Sequence, residues 1–308
     1  MISVIGTKGS PGVTSGTLIT ASILQEVYSE CIVLEADPAG GDLALRFQMS
    51  LRPGLITLTA ERKEITKELI RAHLQIVNSN IKAMFGTQSF EQFILVEAIV
   101  KQIVNCFLSK ENLMVIDLGR WVPCLEMTQL ILEESDLVLL VVDCTPKGIV
   151  SARSILGSIT SVATPNVALF ITGNQMFDVA EVQKYLNCNV IGVVEEVFKV
   201  SELLLATNSN LSRIKSDLNK SLVMYRENLY LLLDCLSQSS SSNNQFQHDM
   251  KNLVDGNKDV LQKRRLFRRF IAEVNNDKQS VDDSSCQIVS DYQTKNQDDN
   301  DYMELVEE

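Results

Sequence analysis

At 308 residues with 45% apolar side chains, the chain can bury the core of one large α/β domain with appendages. The formal charge of −11 argues against a generally nucleic-acid-binding surface; residues 275–308 hold ten acidic and two basic side chains, supplying −8 of it and leaving −3 for the rest. The longest apolar runs, such as Leu-Val-Leu-Leu-Val-Val at 137–142, are strand length and far short of a membrane span. The sequence opens on an apolar strand with no signal-peptide pattern, so a cytoplasmic location is expected.

In chain order, residues 2–5 (Ile-Ser-Val-Ile) read as a buried parallel strand. The small-residue loop Gly6-Thr7-Lys8-Gly9-Ser10-Pro11-Gly12-Val13-Thr14-Ser15 follows, and a helix is expected from Thr14 to Val27, with Leu18, Ile19, Ile23 and Leu24 at helical spacing. A loop of this kind opening a helix turns several backbone N–H groups to one point, where the helix dipole also favours a phosphate. A second strand, residues 31–34, runs into Glu35-Ala36-Asp37-Pro38, placing carboxylates at a strand end beside that loop.

Between 43 and 110, Pro53-Gly54 marks a turn, and residues 55–58 are read as a short strand or an early helix. Residues 61–73 are charged and helix-prone, 81–86 form an apolar strand, and 90–108 are helical. Leu-Met-Val-Ile at 113–116 leads to Asp117-Leu118-Gly119, then Arg120 and Trp121, the single tryptophan. Helix 126–134, strand 137–142, helix 147–159, strand 167–172 with Gly173-Asn174 after it, helix 179–186 and strand 190–194 complete the alternation. Helices near 200–206 and 217–236 are expected to close the domain. The pattern predicts a three-layer α/β fold with a mainly parallel, doubly wound sheet covered on both faces.

Beyond this domain (1–236) come a polar Ser/Asn/Gln linker (237–257), a basic amphipathic helix (258–274) and an acidic tail (275–308) too polar to order itself. In the helix, Val260, Phe267, Ile271 and Val274 share one face, while Lys263, Arg264, Arg265, Arg268 and Arg269 fill the other side. Such a helix suits an anionic membrane or a protein partner, and DNA less well; packing on its own domain is the alternative. The seven cysteines form no Cys-x-x-C pair and read as reduced, mostly buried thiols, and neither His73 nor His248 has companions at metal-ligand spacing, so both are expected at the surface or its boundary.

The loop at 8–15, the acidic turn at 35–38 and the strand ending in Asp117-Leu118-Gly119 stand in the order of the MinD/ParA family of deviant P-loop ATPases, which the chain resembles from about residue 1 to 205. The family's loop pattern is Lys-Gly-Gly-x-Gly-Lys-Thr-Thr, and Glu35 replaces the first aspartate of its Asp-x-Asp-Pro segment. The resemblance implies a P-loop NTPase fold binding ATP and Mg²⁺. Lys8 would reach across a nucleotide-dependent homodimer to the partner's phosphates, and Gly9, Ser10, Gly12, Val13, Thr14 and Ser15 would line the phosphate cradle. It further implies Thr14 and Asp117 as the Mg²⁺ positions, Asp37 as the carboxylate orienting the attacking water, Gly119 as a γ-phosphate sensor and Asn174 as the adenine contact; for Asn174, simple turn chemistry is an equal alternative. MinD proteins also carry a membrane-targeting helix near the C-terminus, which makes the inner face of a membrane a second expected location.

Val13 departs from the pattern. It occupies the position of the lysine that grips the β- and γ-phosphates. A charge-assisted hydrogen bond contributes about 1.5–3 kcal/mol, so its absence weakens binding by roughly ten- to a hundredfold. The expected function is thus an ATP-dependent dimerisation switch for cellular positioning or partitioning, with weak hydrolysis at most. The alternative is a non-catalytic scaffold of a division, pilus or secretion assembly, of the kind the Tad/CpaE members with degraded loops exemplify.

Overall fold

Short β-branched runs separated by amphipathic segments build a single layered sheet. The computed structural model describes residues 1–7, 12–61, 64–107, 113–122, 126–162, 166–173, 176–195, 197, 199, 201 and 216–238. Lys8, Gly9, Ser10, Asn174, the segment 202–206, nearly all of the linker, the basic helix and the tail lie outside them.

The elements run β1 (Ile2–Gly6), α1 (Val13–Leu24), β2 (Cys31–Glu35), α2 (Leu43–Arg46), α3 (Leu55–Ala60), α4 (Lys67–His73), β3 (Gln75–Ile76), β4 (Ile81–Met84), α5 (Phe90–Phe107) and β5 (Leu113–Arg120). They continue through α6 (Glu126–Glu133), β6 (Leu137–Asp143), α7 (Pro146–Val162), β7 (Val167–Thr172), α8 (Val179–Leu186), β8 (Asn189–Val194) and α9 (Ser216–Gln238). The described strands form one sheet in the order β3-β4-β2-β5-β1-β6-β7-β8. Every neighbouring pair is parallel except the hairpin β3–β4.

Period-two alternation assigns each strand residue to a face. Ile2, Val4, Cys31, Val33, Leu113, Val115, Leu139, Val141 and Phe170 share an apolar core with α1 and with Leu222, Tyr225, Leu229 and Leu232 of α9. The intervening residues, such as Ile5, Ile32, Ile116 and Leu140, are equally buried and face the other helical layer, in which α5, α6, α7 and α8 pack in series. A sheet buried on both faces explains why its strands are apolar throughout.

The sequence reading holds with local adjustments. Of the two alternatives open for residues 55–58, the helix forms, over Leu55–Ala60. α1 begins one residue earlier than expected and ends at Leu24. His73 is buried, its Nδ1 2.9 Å from the Leu69 carbonyl, rather than at the surface. Cys31 and Cys144 are buried free thiols and Cys106 and Cys188 are half-buried ones; burial pushes the Cys31 and Cys188 thiols up to about 12. Among the described residues, no helix is long and apolar enough to cross a membrane.

The order of the strands also positions the site. From β1 the chain turns towards β2 on one side of the sheet, whereas from β5 it crosses to β6 on the other. Loops leaving adjacent strands in opposite directions open a crevice at their carboxyl ends.

Candidate functional site

Three carboxylates and the first turn of α1 meet at that crevice. Glu35 and Asp117 are register partners on β2 and β5. They share the strand parity of the α1 face, so both project there, Glu35 from the last residue of β2 and Asp117 three residues before the end of β5.

Asp117 is 1% exposed. Its Oδ1 accepts the Gly119 N–H at 2.9 Å, while its Oδ2 is buried with no hydrogen-bond partner. Burial pushes this carboxyl up to about 8; the Gly119 amide opposes the rise, the charges of Glu35 and Asp37 add to it, and the nearby Thr14 hydroxyl lowers it slightly.

Glu35 has a different part. Its Oε1 accepts the Leu43 N–H at 2.7 Å and its Oε2 the Gly86 N–H at 2.8 Å. One fully buried carboxyl therefore clasps the start of α2 to the loop after β4. Desolvation raises it to about 7 against those two amide bonds. With both oxygens engaged, Glu35 holds the frame of the site.

Asp37 lies past the end of β2, where its Oδ1 accepts the Ala39 N–H at 2.8 Å. Desolvation raises its pKa, and the Arg120 guanidinium offsets part of that. Gly119 has φ +61°, and a Cβ there would stand 2.1 Å from Asp37 Cγ. The β5 turn thus packs its backbone directly onto this carboxylate, which only a glycine permits. Trp121 is half-buried, and its backbone N–H donates to the Gly6 carbonyl at 2.9 Å, tying the same turn to the end of β1.

On the loop side, Gly12 precedes α1 with φ 116°, in left-handed backbone, and its carbonyl accepts the Gly16 N–H at 2.7 Å. A Cβ on Gly12 would meet Val197 Cγ1 at 3.0 Å, so the segment after β8 closes over the loop. Val13 is 6% exposed and belongs to the apolar core. Thr14 is half-buried beside Asp117, and Ser15 is fully buried. Ser15 Oγ accepts from Arg46 Nη1 and Ser201 Oγ, both at 3.2 Å. Arg46 in turn donates Nε–H to Asp42 Oδ2 at 2.8 Å.

The structure brings Gly12, Val13, Thr14, Ser15, Asp37, Asp117 and Gly119 to one end of the sheet. Sequence reasoning missed the Glu35 clasp, the Arg46–Ser15–Ser201 cluster and Val197. The i,i+4 spacing of Asp42 and Arg46 was a readable signal for an ion pair; contact with Ser15 was not.

These residues fit a divalent cation only in part. Among the described residues, no cluster of three or more His, Cys, Asp and Glu side chains is set to hold a metal. A hard cation here would draw its remaining oxygens from phosphate and water, as Mg²⁺ commonly does. The orphaned Oδ2 of Asp117 beside Thr14 suits that partial shell. Val13 does not suit the lysine's position, because its side chain is committed to the core.

Comparison with solved structures gives the fold its relatives. A ParA family ATPase from Chlorobium tepidum TLS superposes with a TM-score of 0.63 at 14% identity, covering 73% of this chain and 98% of that one. The cell division ATPase MinD of Pyrococcus furiosus gives 0.60 at 13% identity over 75% and 98%. This chain has the ParA/MinD fold. The septum site-determining protein MinD of Pyrococcus horikoshii OT3, complexed with Mg-ADP, gives 0.56 at 12% identity, covering 77% of this chain and 98% of that one. No protein-family model and no curated protein matches the chain. In the ParA/MinD fold the described site occupies the carboxyl ends of β1, β2 and β5, where that arrangement of strands opens its crevice.

Proposed function

We propose that this chain is an ATP·Mg²⁺-dependent dimerisation switch of the ParA/MinD type, serving to position or partition a cellular structure, with slow hydrolysis at most. The buried, unpartnered Asp117 Oδ2 beside the first turn of α1 carries this reading. Desolvating a carboxylate without a partner is costly, and a cation is what offsets the cost. Bound magnesium would supply neutralisation of the phosphate charge.

The chain's own residues divide the remaining work. Thr14 and Asp117 hold the cation, and the amides of Gly9, Ser10, Gly12, Val13, Thr14 and Ser15 cradle the phosphates, Pro11 having no N–H to give. Asp37, its pKa raised by burial, orients a water. Gly119, packed on Asp37, senses the terminal phosphate through its backbone. Lys8 crosses to the partner subunit, and Asn174 contacts the base. Residues 258–274 dock on a membrane surface or a protein partner.

One observation favours the rival reading, a non-catalytic scaffold: Val13 is buried in the core where a phosphate-gripping lysine is expected. Calorimetric titration with ATP and Mg²⁺, at protein concentrations from micromolar upward, separates the two. The switch gives a saturable isotherm that steepens with protein concentration. A flat trace throughout supports the scaffold.

A further inference from the structure

The nucleotide reading leaves α1 without its cation, since Val13 faces the core shared with α9 and Val197. A triphosphate carries about four negative charges, and a site already holding Asp37, Asp42 and Asp117 must balance them. Backbone amides and one divalent ion do part of this. The structure supplies a further positive group from a different element. Arg46, the last residue of α2, lays its guanidinium against the first turn of α1, with Nη1 3.2 Å from Ser15 Oγ. Its side chain is 18% exposed and is fixed by Asp42, which accepts Nε–H at 2.8 Å. Asp42 is itself held at the start of the short helix that Glu35 clasps through the Leu43 amide. The guanidinium is therefore placed by a chain of contacts running back to β2, of which the Glu35–Leu43 bond is buried.

We infer that Arg46 is a phosphate-binding residue of this site, supplying from α2 the cation that Val13 does not supply from α1. A guanidinium presents five N–H groups in a planar fork, so it can keep Asp42 on one edge and take a phosphate oxygen on another. The orphaned Asp117 Oδ2, next to the same helical turn, is the independent sign of a ligand at this place. Arg120 is a weaker candidate, because it is exposed and its charge is drawn to Asp37. The inference rests on the nucleotide reading above and deepens it.

A double-mutant cycle on ATP·Mg²⁺ affinity tests it, using wild type, Arg46→Gln, Val13→Lys and the double variant. Glutamine keeps most of the stem and a donor for Asp42, and thermal unfolding monitored by circular dichroism confirms that each variant is folded. Arg46→Gln is expected to weaken ATP binding tenfold or more in the wild-type background, and threefold or less once Val13→Lys has restored a cation on α1. Arg46→Ala is expected to follow the same pattern. Equal losses in both backgrounds would mean that Arg46 acts only on the fold, overturning the inference. Unchanged affinity in Arg46→Gln overturns it too, while a binding wild type leaves the nucleotide reading standing. A wild type that binds no ATP at any concentration removes both.

Discussion

Asp117 and Glu35 are carboxyls that the fold keeps protonated close to neutral pH, at about 8 and about 7, against ordinary values of 3.8 and 4.5. The folded protein then binds more protons than the unfolded chain across this window. The stability these two groups contribute without ligand is full below about pH 4 and is lost as pH rises towards 8. Asp117→Asn removes one of these groups. It should raise the melting temperature of the ligand-free protein by several degrees at pH 8 while changing it little at pH 4. Cation binding needs the ionised form, so Mg²⁺·ATP uptake at pH 7 should release a proton, read as a buffer-dependent calorimetric enthalpy. Gly119 is constrained just as closely. An alanine there faces both a left-handed backbone, costing about 1–2 kcal/mol, and the Asp37 carboxylate. Gly119→Ala is expected to destabilise by about 1–3 kcal/mol in urea unfolding and to abolish any nucleotide-dependent change in assembly.

Among the elements, α1 depends on a helix two hundred residues away. Tyr225 of α9 is completely buried, lies 4.9 Å from the Phe170 ring between centroids, and has its hydroxyl 2.7 Å from Thr20 Oγ1. Tyr230 donates from its hydroxyl to the Ile23 carbonyl at 2.9 Å, further along α1. The helix that opens at the phosphate loop is thus clamped between the sheet and α9. Tyr225→Ala should cost about 3–5 kcal/mol in chemical unfolding. Tyr225→Phe, which keeps the ring, should cost about 1 kcal/mol. Because Val197 also abuts Gly12, the alanine variant is expected to loosen the loop and weaken ATP more than the phenylalanine variant does.

For the whole molecule, the proposal links a nucleotide to subunit number. Light scattering with chromatography should show a larger dimer fraction with ATP·Mg²⁺ in wild type and no increase in Lys8→Ala. Such a shift requires that ATP bind the dimer better than the monomer, and Lys8 is the residue proposed to make that difference. Removal of residues 258–308 should leave this response intact while abolishing co-sedimentation with anionic vesicles. Loss of the response instead would assign those residues to the subunit interface.

The alternation of strand and helix, the ends of most elements and the meeting of the three motifs were legible in the residues. Hydrophobic period and turn chemistry are local properties, and parallel strands bring their carboxyl ends together by construction. The two-residue strand β3 and the helical state of residues 55–60 were not legible, because segments this short take their conformation from what they pack on. Nor could spacing tell that Glu35 spends both oxygens on the backbone amides of Leu43 and Gly86. That depends on strands far apart in sequence becoming register partners. Val13 shows the division most sharply: sequence alone determined that no lysine stands there. Only tertiary structure decided that the valine faces the α9 core and that Arg46, thirty-one residues from Ser15, lies against the same turn, because that proximity exists only once α1 and α2 pack on one sheet.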